Sequence, residues 1–179
     1  MTFITVAGLQ NIGVDFSYGS KELPVIGCGD TGLQQKCNFV VTNSADDTDS
    51  LMQGKHDCTV VATRDAFARY IWHDGIECYP VLHDLVRYDF DPTKASLQQL
   101  ALALACHMNA ASVYLVGYQL DSVVETPFLL NMLRIYPKTQ FAFIRKPNPQ
   151  KIGIFKEFPN IVVEETPLFK KMIGNINAR

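Results

Sequence analysis

Basic charge is not in excess in this sequence: 16 Lys and Arg stand against 18 Asp and Glu, a formal net charge of −2. A chain so balanced offers no broad positive field for wrapping nucleic acid, so no nucleic-acid partner is expected. Paired cysteines are also missing. The five present (Cys28, Cys37, Cys58, Cys78, Cys106) are odd in number, widely spaced and without a Cys-x-x-Cys. That pattern argues against a disulfide framework and against a thiolate zinc site, and suits reduced thiols in a cytoplasmic compartment. No apolar run approaches the roughly 18 residues of a membrane span. The best candidate, Leu97–Ala105, is interrupted by Gln98 and Gln99 and is followed by His107 and Asn109. The opening Met1–Gly8 has neither a basic segment nor a long apolar core, so no secretory signal is expected. Among catalytic signatures, the G-x-S-x-G elbow, the Walker lysine motif and His-Glu-x-x-His are all absent.

What is there is ordinary globular material. Of 179 residues, 47% are hydrophobic and 19% charged, enough apolar side chains for one domain spanning 1–179 to fold without staples. Short apolar runs rich in β-branched and aromatic residues recur near Phe3–Ala7, Asn38–Thr42, Cys58–Thr63, Glu77–Leu82, Ser112–Tyr118, Gln140–Arg145 and Ile161–Glu164, with Leu23–Ile26 as a further short candidate. Several are continuous rather than alternating, as strands buried on both faces are. Between them lie helical patterns over Arg64–His73, Ser96–Met108, Pro127–Tyr136 and Pro167–Ile176. In the second of these, Leu97, Leu100, Ala101, Leu104, Ala105 and Met108 share one face, and Ser96 with Gln99 makes a capping-box start. Asp91-Pro92 is an alternative start for it. Strands alternating with helices predict an α/β fold of three layers around a mostly parallel sheet of six or seven strands. Ligands of such sheets bind beyond the carboxyl ends of the strands.

Several residues at those ends could carry chemistry. Gly27-Cys28-Gly29-Asp30-Thr31-Gly32 matches G-x-G-x-x-G, which reads either as a glycine-rich turn or as a phosphate cradle with Thr31 adding a hydroxyl. Only five residues separate it from the next strand, too few for the crossover helix of a dinucleotide fold. Gly8–Gly13 is a weaker second candidate. Asp46, Asp47 and Asp49 follow Asn43 and Ser44; they could hold Mg²⁺, but the simpler reading is that Ser44 caps a short helix whose positive end the aspartates complement. His56-Asp57, His73-Asp74 and His83-Asp84 do not read as metal pairs, because neighbours on a strand point to opposite faces. Of the three, His83 lies best placed to act as an acid or base. Phe67, Tyr70 and Trp72 read as core and rim packing. Arg145, Lys146 and Lys151 read as solvated charge.

Taken in order, these elements resemble the Rossmann-like group that includes bacterial sialyltransferases and 6-hydroxymethylpterin diphosphokinase-like proteins, with uncharacterised phage-encoded relatives. The resemblance rests on the Gly27–Gly32 turn, on Val40-Val41-Thr42-Asn43, on Ala95-Ser96-Leu97 opening the long helix, and on Leu115-Val116-Gly117-Tyr118-Gln119. It implies a nucleotide-binding transferase using a nucleotide-sugar or nucleoside phosphate donor, with Mg²⁺ an open question. Gly27, Gly29, Thr31, Asn43, Ser96 and Gly117 would then contact the nucleotide, and His83 or Asp121 would be the acid or base. Four departures stand out: Cys28 replaces the turn asparagine, Asp30 the proline and Leu97 the helix-start glycine, while Gln119 stands where an acid is usual unless Asp121 substitutes. They leave open a second reading, a non-catalytic accessory protein that works through a partner or as a homo-oligomer.

Overall fold

The computed structural model describes residues 2–6, 24–29, 37–54, 57–86, 88, 90–120, 124–143 and 153–162. Eight strands run through them: β1 (Thr2–Val6), β2 (Val25–Cys28), β3 (Phe39–Thr42), β4 (Thr59–Ala62), β5 (Ile76–Cys78), β6 (Ser112–Val116), β7 (Gln140–Phe143) and β8 (Ile161–Val162). Five α-helices accompany them: α1 (Ala45–Gln53), α2 (Arg64–Phe67), α3 (His83–Val86), α4 (Leu97–His107) and α5 (Glu125–Ile135). No helix among the described residues is long and apolar enough to cross a membrane.

The strands form a parallel sheet in the order β5-β4-β3-β2-β1-β6-β7-β8. All seven sequence-expected strands occur, and the short Leu23–Ile26 candidate supplies the eighth as Val25–Cys28. The order reverses direction at β1. From there the chain steps outward through β2 to β5, returns, and lays β6 on the other side of β1, with Thr2 opposite Ser112 and Val6 opposite Val116. Alternation along the strands builds two apolar faces. Val25, Val40, Val60 and Ala62 meet Leu51 of α1 and Ala66 of α2. Ile26, Val41, Val61, Val113, Leu115 and Phe141 meet α4 and α5 on the opposite face. The reversal of direction moves the later helices to that second face, as right-handed crossovers require.

Helix α4 differs from its sequence reading. One apolar stripe is expected, yet every residue from Gln99 to Cys106 is buried. The cause is tertiary. After β5 the chain does not continue as strand to Leu82; it leaves at Tyr79 and packs against α4. Tyr79 donates its hydroxyl to Leu100 O at 2.7 Å, and Leu82 and Leu85 join the same cluster. Alanines 101, 103 and 105, all fully buried, let the helix lie close to its neighbours. The helix starts where Ser96 and Gln99 predict, with both halves of the capping box formed. Asp91-Pro92 is not its start; Asp91 instead accepts hydrogen bonds from Thr93 N and Oγ1.

Other expectations shift more. The Arg64–His73 pattern yields only α2 and a 3₁₀ turn over Ala68–Tyr70, because the chain must reverse into β5 through Gly75 at φ +83°. That turn leaves Trp72 92% exposed, so it is neither core nor rim. The Pro167–Ile176 pattern lies outside the described residues.

Two outcomes follow from this packing. Leu102 faces away from the expected stripe, so an amphipathic α4 would tolerate Leu102→Ala within about 0.5 kcal/mol. Its complete burial predicts a loss of about 2–5 kcal/mol instead, measurable by urea unfolding. The second concerns alkali. Burial pushes the Cys37 thiol up to about 12 from an ordinary 9.0, with neighbouring Cys58 adding to the rise. The folded state then holds a proton that the unfolded chain releases, so this contribution is intact below pH 9 and is lost as pH rises toward about 12. Cys37→Ala should flatten the fall of stability across that window by about 1.4 kcal/mol per pH unit.

Candidate functional site

The reversal between β1 and β6 is the place where a parallel sheet opens a crevice beyond its carboxyl ends. Chain segments from β2, β3, β6, α4 and α5 meet on that edge. At the end of β2, Gly29 turns with φ +50°, and its N–H donates to Val41 O at 3.0 Å. A Cβ at this glycine would stand 2.9 Å from Leu97 Cδ1. Leu97 fills the room left by the glycine, and Cys28 Sγ donates to Leu97 O at 3.4 Å. At the end of β3, Asn43 Nδ2 donates to Ala95 O at 2.8 Å, tying that strand to the residue before the α4 cap. At the end of β6, Gly117 takes φ +65°, and Gln119 N donates to Gln98 Oε1 at 2.8 Å.

Glu125 is the group that sequence reasoning missed. It opens α5, is only 5% exposed, and is held from two sides. Ser96 Oγ donates to its Oε1 at 2.5 Å, and the Tyr118 hydroxyl donates to its Oε2 at 3.2 Å. Burial, and then the neighbouring carboxylate, push the Tyr118 hydroxyl far above the ordinary phenol range, so it stays protonated and remains a donor. Ser96 is fully engaged: its N donates to Gln99 Oε1, its Oγ accepts from Gln99 N, and its proton goes to Glu125. The sequence pattern starts this helix at Pro127. Instead α5 begins ahead of it, and Thr126 Oγ1 donates back to Leu120 O at 2.9 Å. The available signal was an acid directly after Val123-Val124 and ahead of a helical pattern.

The structure brings Gly29, Asn43, Ser96 and Gly117 to this edge. Gly27 is different: it lies inside β2, paired with β3 opposite Val40, and it offers no free turn amide. Since the Gly29 N–H is also spent, neither glycine presents a donor to a phosphate. Thr31 and Asp121 lie outside the described residues, as do Asp30, His56, Gly8–Gly13, Arg145, Lys146 and Lys151. His83 is exposed at the start of α3. Its neighbour Asp84 contacts the Tyr136 hydroxyl at 3.5 Å, just past the end of α5, whereas Glu125 begins that helix. An 11-residue helix puts about 16 Å between the two ends, so His83 does not join the Ser96 cluster.

The aspartates behave as helix-end residues. Ser44 Oγ accepts from Asp47 N at 3.0 Å as the N-cap of α1, with Asp46 and Asp47 in the first turn. Asp49 accepts from the Tyr70 hydroxyl at 2.7 Å and pairs with Arg69. Among the described residues no group of three or more His, Cys, Asp or Glu side chains is placed to hold a metal ion. Beside the Ser96 cluster a cavity of about 310 Å³ opens between α4 and α5, lined by the stacked rings of Phe90 and Phe128 together with Gln99 and Asn131. Compared with protein-family models, curated proteins and solved structures, the chain matches none of them.

Chemically this edge centres on the Glu125 carboxylate, held by two hydroxyl donors, and on Asn43, whose amide nitrogen is committed to Ala95 O. A double-mutant cycle measures how strongly the edge is coupled. Ser96→Ala removes a helix cap and a donor to a buried carboxylate, a loss of about 2–3 kcal/mol in stability. In combination with Glu125→Gln the two changes should be non-additive by about 1–3 kcal/mol in urea unfolding. Additive losses would mean that the Ser96–Glu125 bond contributes nothing.

Proposed function

We propose that the protein is a nucleotide-binding, transferase-like enzyme on a three-layer, Rossmann-like α/β scaffold, taking a nucleotide-sugar or nucleoside phosphate donor at the carboxyl edge of β2, β3 and β6. The observation that carries this reading is the buried Glu125 carboxylate, held by two hydroxyl donors beside the reversal of strand order. A buried carboxylate beside the reversal of a parallel sheet is a candidate for function, its burial made tolerable by the two donors. Glu125 replaces His83 as the acid or base. Hydroxyls of the ligand would be received by Asn43 Oδ1 and by Glu125, the latter taking a proton from an attacking hydroxyl as the donor's phosphate leaves.

A non-catalytic accessory role is the second reading. It is favoured by one specific fact: Gly29 N–H, the Asn43 amide and Ser96 are all engaged in the protein's own hydrogen bonds.

A thermal-shift screen against nucleotides, nucleotide-sugars and pterins, with and without Mg²⁺, separates the two. A ligand at about 100 times its Kd adds roughly 2.7 kcal/mol, a rise of several degrees for a chain of this size. Asn43→Ala should lose about 1 kcal/mol of intrinsic stability with its Ala95 bond, so ligand shifts are compared with each variant's own baseline. With the donor so found, Glu125→Gln should lower its turnover by about 10²–10⁴ while retaining the ligand shift. A flat screen would favour the accessory role.

A further inference from the structure

Away from Glu125, the same edge of the sheet holds a second cavity, of about 230 Å³, where β4 and β5 end. Thr63 and Arg64 enter it from the end of β4, and Tyr79 to Leu82 from the end of β5. Phe90, Pro92 and Thr93 close it from the segment that returns toward α4. Its walls are predominantly apolar. Tyr79 and Leu82 are buried, with the Tyr79 hydroxyl already committed to Leu100, so the ring presents only carbon to the cavity. The two prolines fix their own φ and make that part of the wall stiff. Between the buried Tyr79 and Leu82, Val81 is left 67% exposed at the cavity's mouth.

The one cationic group at the mouth is Arg64. The ion pairs among the described residues are Arg69 with Asp49 and Lys94 with Asp91, so Arg64 has none of them. Its planar guanidinium suits a carboxylate or similar oxyanion. As for size, a cavity of about 150 Å³ is enough for benzene, so this one has room for a two-ring molecule. Thr63 links the cavity to the neighbouring site by donating to Asn43 O at 3.4 Å.

We infer that this cavity is a binding site for a small planar aromatic molecule carrying one anionic group, its ring between Tyr79, Leu82 and Phe90 and its anion on Arg64. The inference does not rest on the nucleotide reading, and its test contains no nucleotide. The probes are naphthalene-2-carboxylate and its neutral isostere naphthalene-2-carboxamide, titrated into the ¹⁵N-labelled protein with amide shifts recorded. Both should give saturable shifts centred on Arg64, Tyr79, Val81, Leu82 and Thr93. The carboxylate should bind about fivefold more tightly than the amide, the worth of one exposed charge pair. Arg64→Gln should remove that preference and leave the carboxamide affinity unchanged. Shifts that do not saturate, or that centre on the exposed Ile71 and Trp72, would overturn the site. Equal affinity of the two probes, or a preference that survives Arg64→Gln, would overturn the anionic class.

Discussion

Ser96 bonds in three directions, and the arrangement of the carboxyl edge depends on it. Helix α4 is buried from Gln99 to Cys106, and the N–H groups at its start need partners. The capping box with Gln99 satisfies two of them, Ser96 N and Gln99 N. The same Ser96 hydroxyl then donates to Glu125, which fixes where α5 begins relative to α4. One residue earlier, Ala95 O receives the Asn43 amide, so the end of β3 is referred to the same point. Tyr118 closes the arrangement from β6 through the other Glu125 oxygen. A single helix start thus holds two strand ends and a second helix in register.

The sheet explains why this happens where it does. Because the order reverses at β1, helices from the first half of the chain cover one face and those from the second half the other. Beside the reversal, the starts of α4 and α5 are tied to the ends of β3 and β6. Small residues permit the close approach: Gly29 leaves space that Leu97 occupies, and the alanines of α4 bring it down onto the sheet. A carboxylate placed there is shielded from water and is costly without its two hydroxyl donors.

Much of the framework was legible because it is written locally. The β-branched runs became strands, since continuous apolar stretches such as Val40-Val41 can be buried only between two covered faces. Ser96 with Gln99, and Ser44 ahead of its aspartates, are cap signals that act within one turn. What depends on distant chain was not legible. Nothing near Leu102 reveals that Tyr79, Leu82 and Leu85 will join the cluster that buries its helix. Trp72 is apolar by composition yet exposed, because a turn at Gly75 turns the chain back before it can pack. Glu125 gains its meaning only from Ser96 and Tyr118, 29 and 7 residues away along the chain. In the glycine motif only Gly27 to Gly29 are described, and there pairing with β3 uses the backbone groups.

Hydrogen–deuterium exchange with and without saturating nucleotide tests most directly whether this edge is the binding site. If it is, protection should concentrate on the peptides covering the ends of β2 and β3, the start of α4 and the segment from Gly117 to Leu120, with the rest of the sheet unchanged. Protection confined to other surfaces, or none at millimolar nucleotide, would contradict the placement of the site at the Ser96–Glu125 edge.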